Sequence, residues 1–84
     1  MKLIVVSAVW CPSCLILSKQ LKKIKEDYPE LEIVKYDYDF DEEIVEKYNV
    51  GEKLPVMIVL DDAGNEVRRL VGEKKDEEIR EFLG

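Results

Sequence analysis

A change of hydrophobic period near residue 11 constrains the fold of this chain more than any other feature. Leu3-Ile4-Val5-Val6 is an unbroken apolar run, and after it Cys14, Leu17, Leu21, Ile24 and Tyr28 recur at steps of three and four. A short continuous run suits a buried strand, whereas the second spacing lines one side of a helix. Pro12 fits the first helical position, where its missing N–H has no intrahelical partner to lose, and Tyr28-Pro29 ends the stripe. Residues 32–38 predict a second strand, and Asp41 to Tyr48 a short helix burying Ile44, Val45 and Tyr48. Pro55 opens a third strand, Val56 to Leu60. The turn Asp61-Asp62-Ala63-Gly64-Asn65 then returns the chain through Glu66 to Val71, a hairpin signal. Asp76 is expected to cap a last helix that turns Ile79, Phe82 and Leu83 inward. The order β-α-β-α-β-β-α predicts an α/β fold. Its first crossover should be right-handed and parallel and its hairpin antiparallel, giving a mixed four-stranded sheet with helices on both faces.

Residues 1–84 contain no repeat, low-complexity tract or linker, so one domain is expected to span them. At 46% hydrophobic residues the chain can build one core without covalent staples. A small secreted fold that relies on disulfides carries about four to eight cysteines, and this chain has two. The opening Met-Lys-Leu-Ile-Val-Val-Ser-Ala superficially fits a signal peptide. Its apolar run before Ser7 falls short of the roughly seven residues such a segment needs, and removing it would delete the first strand. No apolar stretch approaches transmembrane length. The expectation is a cytoplasmic, untargeted protein. Thirteen basic against nineteen acidic residues leave a net charge of −6, a poor match for nucleic acid or an anionic membrane. The acid concentrated from Asp37 to Glu46 reads as solvated surface. Lys19, Lys22, Lys23 and Lys25 read the same way and also suit the negative end of their helix.

Both cysteines fall at the period change, in Trp10-Cys11-Pro12-Ser13-Cys14. Thiols that close in sequence can form and break a disulfide in place. The loop they close is too short to stabilise much, so their value is chemical. A helix N-terminus beside them favours a thiolate through its N–H groups and macrodipole. Cys11 is expected to be the attacking thiolate, with the N–H groups of Ser13 and Cys14 aimed at its sulfur. Cys14, one turn in and facing the core stripe, is the resolving thiol. Zinc takes four ligands; the chain holds no histidine and no third cysteine, so no metal is assigned. The crevice at the carboxyl end of the first strand, where Cys11 lies, is where such sheets place ligands.

Four segments carry a family resemblance: Trp10-Cys11-x-x-Cys14 after the first strand, Lys35-Tyr36-Asp37-Tyr38-Asp39, Tyr48-Asn49-Val50 followed by Leu54-Pro55, and Val71-Gly72 before a helix ending Glu81-Phe82-Leu83. Together they make the chain resemble a minimal thioredoxin-fold protein over nearly all its length. The resemblance implies a thioredoxin-like fold and a thiol–disulfide oxidoreductase, reducing protein disulfides through a Cys11 mixed disulfide that Cys14 resolves. It implies a cis Pro55, which sets the backbone of Leu54 beside the thiols to pair with an extended substrate segment; a trans proline opening an edge-like strand is the alternative. Trp10 would be a contact surface for partners, or else core filler. Ser13 either bonds the Cys11 sulfur or simply suits a first helical turn. Gly72 permits close backbone approach or ends the fourth strand. Lys35 matches the family's lysine near a buried base, or is a solvated strand lysine.

The departures are equally specific. The family's buried aspartate six residues before the nucleophile is Val5 here, and its Gly-Pro between the cysteines is Pro12-Ser13, nearer the glutaredoxin pattern. Lys19 stands where the family's helix-kinking proline would be. Glutaredoxin's Thr-Val-Pro and Gly-Gly-x-Asp segments are replaced by Lys53-Leu54-Pro55 and Val71-Gly72-Glu73-Lys74, so glutathione binding is not expected. The base that deprotonates Cys14 is left open between water and a carboxylate such as Asp37. No cofactor is required; electrons come from a reductase or another dithiol, to a monomer. These departures predict a potential less reducing than thioredoxin's, toward the glutaredoxin range of about −200 to −230 mV. Two other functions fit the cysteines: a Cys-x-x-Cys module capturing a soft ion such as Cu(I), and a thioredoxin-fold docking protein with an incidental disulfide.

Overall fold

The first strand, β1 (Lys2–Ser7), is buried at every position from Leu3 to Val6 in the computed structural model, which describes residues 1–84. Its neighbours explain the unbroken apolar run. β2 (Glu32–Asp37) pairs with it in parallel and β3 (Val56–Leu60) antiparallel, and β4 (Glu66–Val71) adds antiparallel to β3. The sheet order is therefore β2-β1-β3-β4. Both central strands are covered on two faces, and β3 is buried at all five of its positions. The edge strands β2 and β4 keep exposed residues.

Strand alternation divides the core in two. Leu3, Val5, Met57 and Val59 face Leu17, Leu21 and Ile24 of α1 (Pro12–Asp27) and Ile79 and Leu83 of α3 (Asp76–Leu83). Ile4, Val6, Val56, Ile58 and Leu60 face the opposite side, where Ile44 and Val45 of α2 (Glu42–Lys47) pack with Tyr48. Each face draws its apolar residues from alternate positions of the same two strands.

Two expectations are corrected. The second helix is shorter than Asp41 to Tyr48, and Ile44, Val45 and Tyr48 are half-buried rather than buried; six residues give too little helix to seat a full apolar face. Asp76 does not cap α3. Lys75 is the N-cap residue and makes no side-chain capping bond, while Asp76, Glu77 and Glu78 occupy the first turn. There they oppose the positive end of the helix dipole. Phe82 is half-buried, with the Arg68 guanidinium 5.9 Å from its ring centroid.

Register brings three chain segments to one end of the sheet. Val6 pairs with Val56, and Val56 with Val71. The end of β1, the start of β3 and the end of β4 therefore meet where the cysteines lie. No helix is long and apolar enough to cross a membrane.

Candidate active site

Cys11 is the N-cap of α1, and Pro12 follows it as the first helical residue. The Cys11 thiol receives no capping hydrogen bond, which corrects the expectation that the N–H groups of Ser13 and Cys14 aim at its sulfur. The Cys14 N–H instead donates to the Cys11 carbonyl at 3.2 Å, and the Cys11 N–H to the Ala8 carbonyl at 3.2 Å. Both cysteines are free thiols, each 7% exposed. They share one buried cluster with Ala8, Leu54 and Val56.

The two thiols differ. Burial pushes the Cys14 thiol up from the ordinary 9.0 to about 12; its hydrogen bond to Cys11 pushes the same way, and a backbone hydrogen bond with Ala8 acts against both. Cys14 is therefore held as a neutral thiol at physiological pH. A raised folded value makes protonated Cys14 a source of stability that is complete below pH 9 and lost as the pH climbs toward 12. In urea titrations, replacing Cys14 by Ala is expected to flatten the alkaline fall in stability across that window. Alkylation of the reduced protein, read by peptide mass, is expected to leave Cys14 largely unmodified until the pH approaches 12.

Leu54, which shares the cluster of the thiols, is joined to Pro55 by a cis peptide bond. Leu54 is 8% exposed, and neither its N–H nor its carbonyl makes a hydrogen bond within the chain. The Gly72 N–H donates to the Pro55 carbonyl at 2.8 Å, tying the end of β4 to this loop. Gly72 has φ +91°, and a Cβ there would lie 3.3 Å from the Lys53 side chain. Glycine is needed for the backbone angle first and for space second.

Trp10 is 55% exposed, which removes the core-filler reading. Its indole Nε1–H donates to Asp39 Oδ2 at 2.8 Å, and its ring meets Tyr38 edge-on with centroids 6.4 Å apart. Ser13 does not bond the Cys11 sulfur: its hydroxyl donates to Glu73 Oε1 at 3.0 Å.

The Thioredoxin family model matches residues 1–84, the whole chain. The chain belongs to the thioredoxin family. Thioredoxin H-type of Fagopyrum esculentum is 35% identical over 78 residues, covering 90% of this chain and 66% of that protein. Thioredoxin H2 of Arabidopsis thaliana is 31% identical, over 90% of this chain and 57% of its own length. The chain thus spans two thirds or less of these plant relatives. The solved thioredoxin of Fasciola hepatica superposes with a TM-score of 0.84 at 33% identity, covering 98% of this chain and 78% of that one.

Val5, where the family has its aspartate, is 3% exposed and pairs across the sheet with Lys35, whose side chain is exposed. Asp37 pairs with Ser7 across the sheet but does not line the space behind Cys14. Its Oδ1 accepts the N–H groups of Asp39 and Phe40 and shapes the turn after β2. Asp39 and Glu73 were missed as partners of Trp10 and Ser13 because nothing local pairs residues 29 and 60 positions apart. Val9, Leu15, Ile16 and Phe40 are also exposed. Leu15 and Ile16 fall outside the Cys14–Leu17–Leu21 stripe, which was a usable signal.

Proposed function

We propose that residues 1–84 form one thioredoxin-like domain that acts as a thiol–disulfide oxidoreductase, reducing protein disulfides. The observation that carries this reading is a pair of free, buried thiols just after β1, sharing one cluster with a loop residue whose backbone groups are unused. An extended substrate segment pairs with the N–H and C=O of Leu54, while Trp10, Pro55 and Gly72 line its path. The Cys11 thiolate attacks one substrate sulfur, forming a mixed disulfide and releasing the other sulfur as a thiolate. Cys14, once deprotonated, attacks the Cys11 sulfur. The Cys11–Cys14 disulfide closes and the second substrate thiol leaves. A reductase or another dithiol returns two electrons to the pair. Pro12 presets the helix start, Ser13 secures the turn through Glu73, and Lys35 lies behind Cys14. The protein acts as a cytoplasmic monomer.

The unused backbone of Leu54 in the same cluster favours exchange over capture of a soft metal ion, since an ion held by two thiolates needs no strand-pairing partner. The deciding experiment is a redox titration of the pair in thiol buffers, trapped by alkylation and read by mass. A two-electron transition between about −180 and −280 mV is expected, with Val5 and Pro12-Ser13 placing it toward the upper part of that range. A pair that never closes at any poise would overturn exchange and leave metal capture as the better reading.

A further inference from the structure

Resolution requires a proton to leave Cys14, a side chain only 7% exposed. Behind it lies a crevice of about 50 Å3, lined by Cys14, Val5, Ser7, Leu17, Ser18, Leu21 and Lys35. Its origin is the strand alternation described above. Val5 and Ser7 project from β1 toward α1, Lys35 stands beside Val5 across the β1–β2 pairing, and Ser18 lies one turn beyond Cys14. Ser7 and Ser18 are half-buried and Lys35 is exposed, so the crevice runs from the thiol to solvent. An enclosed space needs roughly 10–15 Å3 and two to four polar partners to hold a water. This crevice meets both conditions, with two hydroxyls and an ammonium.

We propose that the crevice between β1, β2 and α1 is the proton exit of the resolving step: water held by the Ser7 and Ser18 hydroxyls takes the Cys14 proton, and the Lys35 ammonium at its mouth favours the thiolate left behind. The inference rests on the exchange reading above. In the step, the Cys14 S–H bond breaks and its proton passes through crevice water to solvent. The sulfur's electron pair forms the bond to Cys11 as the bond from Cys11 to the substrate sulfur breaks. The departing thiolate takes a proton from bulk water, so charge and electrons balance. Cys11 faces Cys14 from the helix start and Lys35 from β2, where Asp37 lies on the same face beside Ser7 with its Oδ1 taken by the Asp39 and Phe40 N–H groups. β1 and α1 present only Val5, Ser7, Leu17, Ser18 and Leu21, and no carboxylate lines the space. The hydroxyls of Tyr36, Tyr38 and Tyr48 belong to the cluster on the other face.

The test uses the reduced full chain and dithiobis(nitrobenzoate) in stopped flow. The first thionitrobenzoate is released when Cys11 attacks, and the second when Cys14 closes the disulfide. Nitrobenzoate thiolate is a weak base, so it does not carry the Cys14 proton away itself. In the Ser7→Ala, Ser18→Ala double variant the ratio of second- to first-phase rate is expected to fall roughly tenfold, less than a positioned proton acceptor is worth in full because bulk water partly substitutes. Ser18→Val, which fills the crevice, should lower the same ratio. Lys35→Gln should move the pH midpoint of the second phase upward by about half to one unit, and Lys35→Arg should restore it. Ratios and midpoints equal to the parent's in all of these variants would overturn the proton exit. A parent protein with no second phase would instead overturn disulfide exchange itself.

Discussion

Cys11→Ser is expected to eliminate disulfide reduction, with turnover no different from buffer and no mixed disulfide detectable by mass. A serine hydroxyl, like water, ionises only far above neutral pH and supplies no useful nucleophile there. The expected behaviour of Cys14→Ser is the opposite in kind. Cys11 still attacks, but nothing resolves the product, so substrate accumulates as a covalent adduct that a dithiol releases. Non-reducing electrophoresis followed by mass spectrometry reads both outcomes. The contrast also separates exchange from docking. A docking protein would hold its partners in both variants without a covalent bond, and partner retention in Cys11→Ser would count against the reaction proposed here.

The largest expected stability loss lies in the centre of the sheet. Ile58 is 0% exposed, sits mid-strand in β3 and pairs across the sheet with Ile4 and Arg69. Truncating it to Ala removes three methyl or methylene groups where strands on both sides prevent collapse, at a cost of about 3–4 kcal/mol. At 0.05–0.15 kcal/mol per residue a chain of this length is stable by roughly 4–13 kcal/mol in all. One substitution therefore removes a large share of the total. The midpoint of thermal unfolding should fall by about 15–25 °C. Urea titration should show a lower midpoint at an unchanged slope. Val67→Ala offers the comparison: Val67 is 52% exposed on the edge strand β4, and its loss should stay within about 0.5 kcal/mol. An Ile58→Ala cost below about 1 kcal/mol would mean that the two faces of the sheet are not packed as described.

Much of this architecture is legible in short stretches of sequence. The unbroken run of β1, the three-and-four stripe of α1 and the Asp61–Asn65 turn each encode their own element within a few residues, because period and turn chemistry are local. The dithiol was legible for the same reason: two cysteines at the strand-to-helix junction carry their chemistry with them. Helix ends were less legible. Asp76 has the right residue type for a cap, yet Lys75 takes the position and Asp76 serves the first turn.

What tertiary structure alone decided is the company each site residue keeps. Ser13 reaches Glu73 rather than Cys11, Trp10 is held by Asp39, and Asp37 shapes its own turn. The division of the core into two clusters, the free backbone of Leu54 and the serine-lined space behind Cys14 also arise only once Val6 lies beside Val56 and Val56 beside Val71. The physical reason is that a residue's periodicity is written by its chain neighbours. Its hydrogen-bond partners and its distance from solvent are set by strand order and register, which close loops tens of residues long.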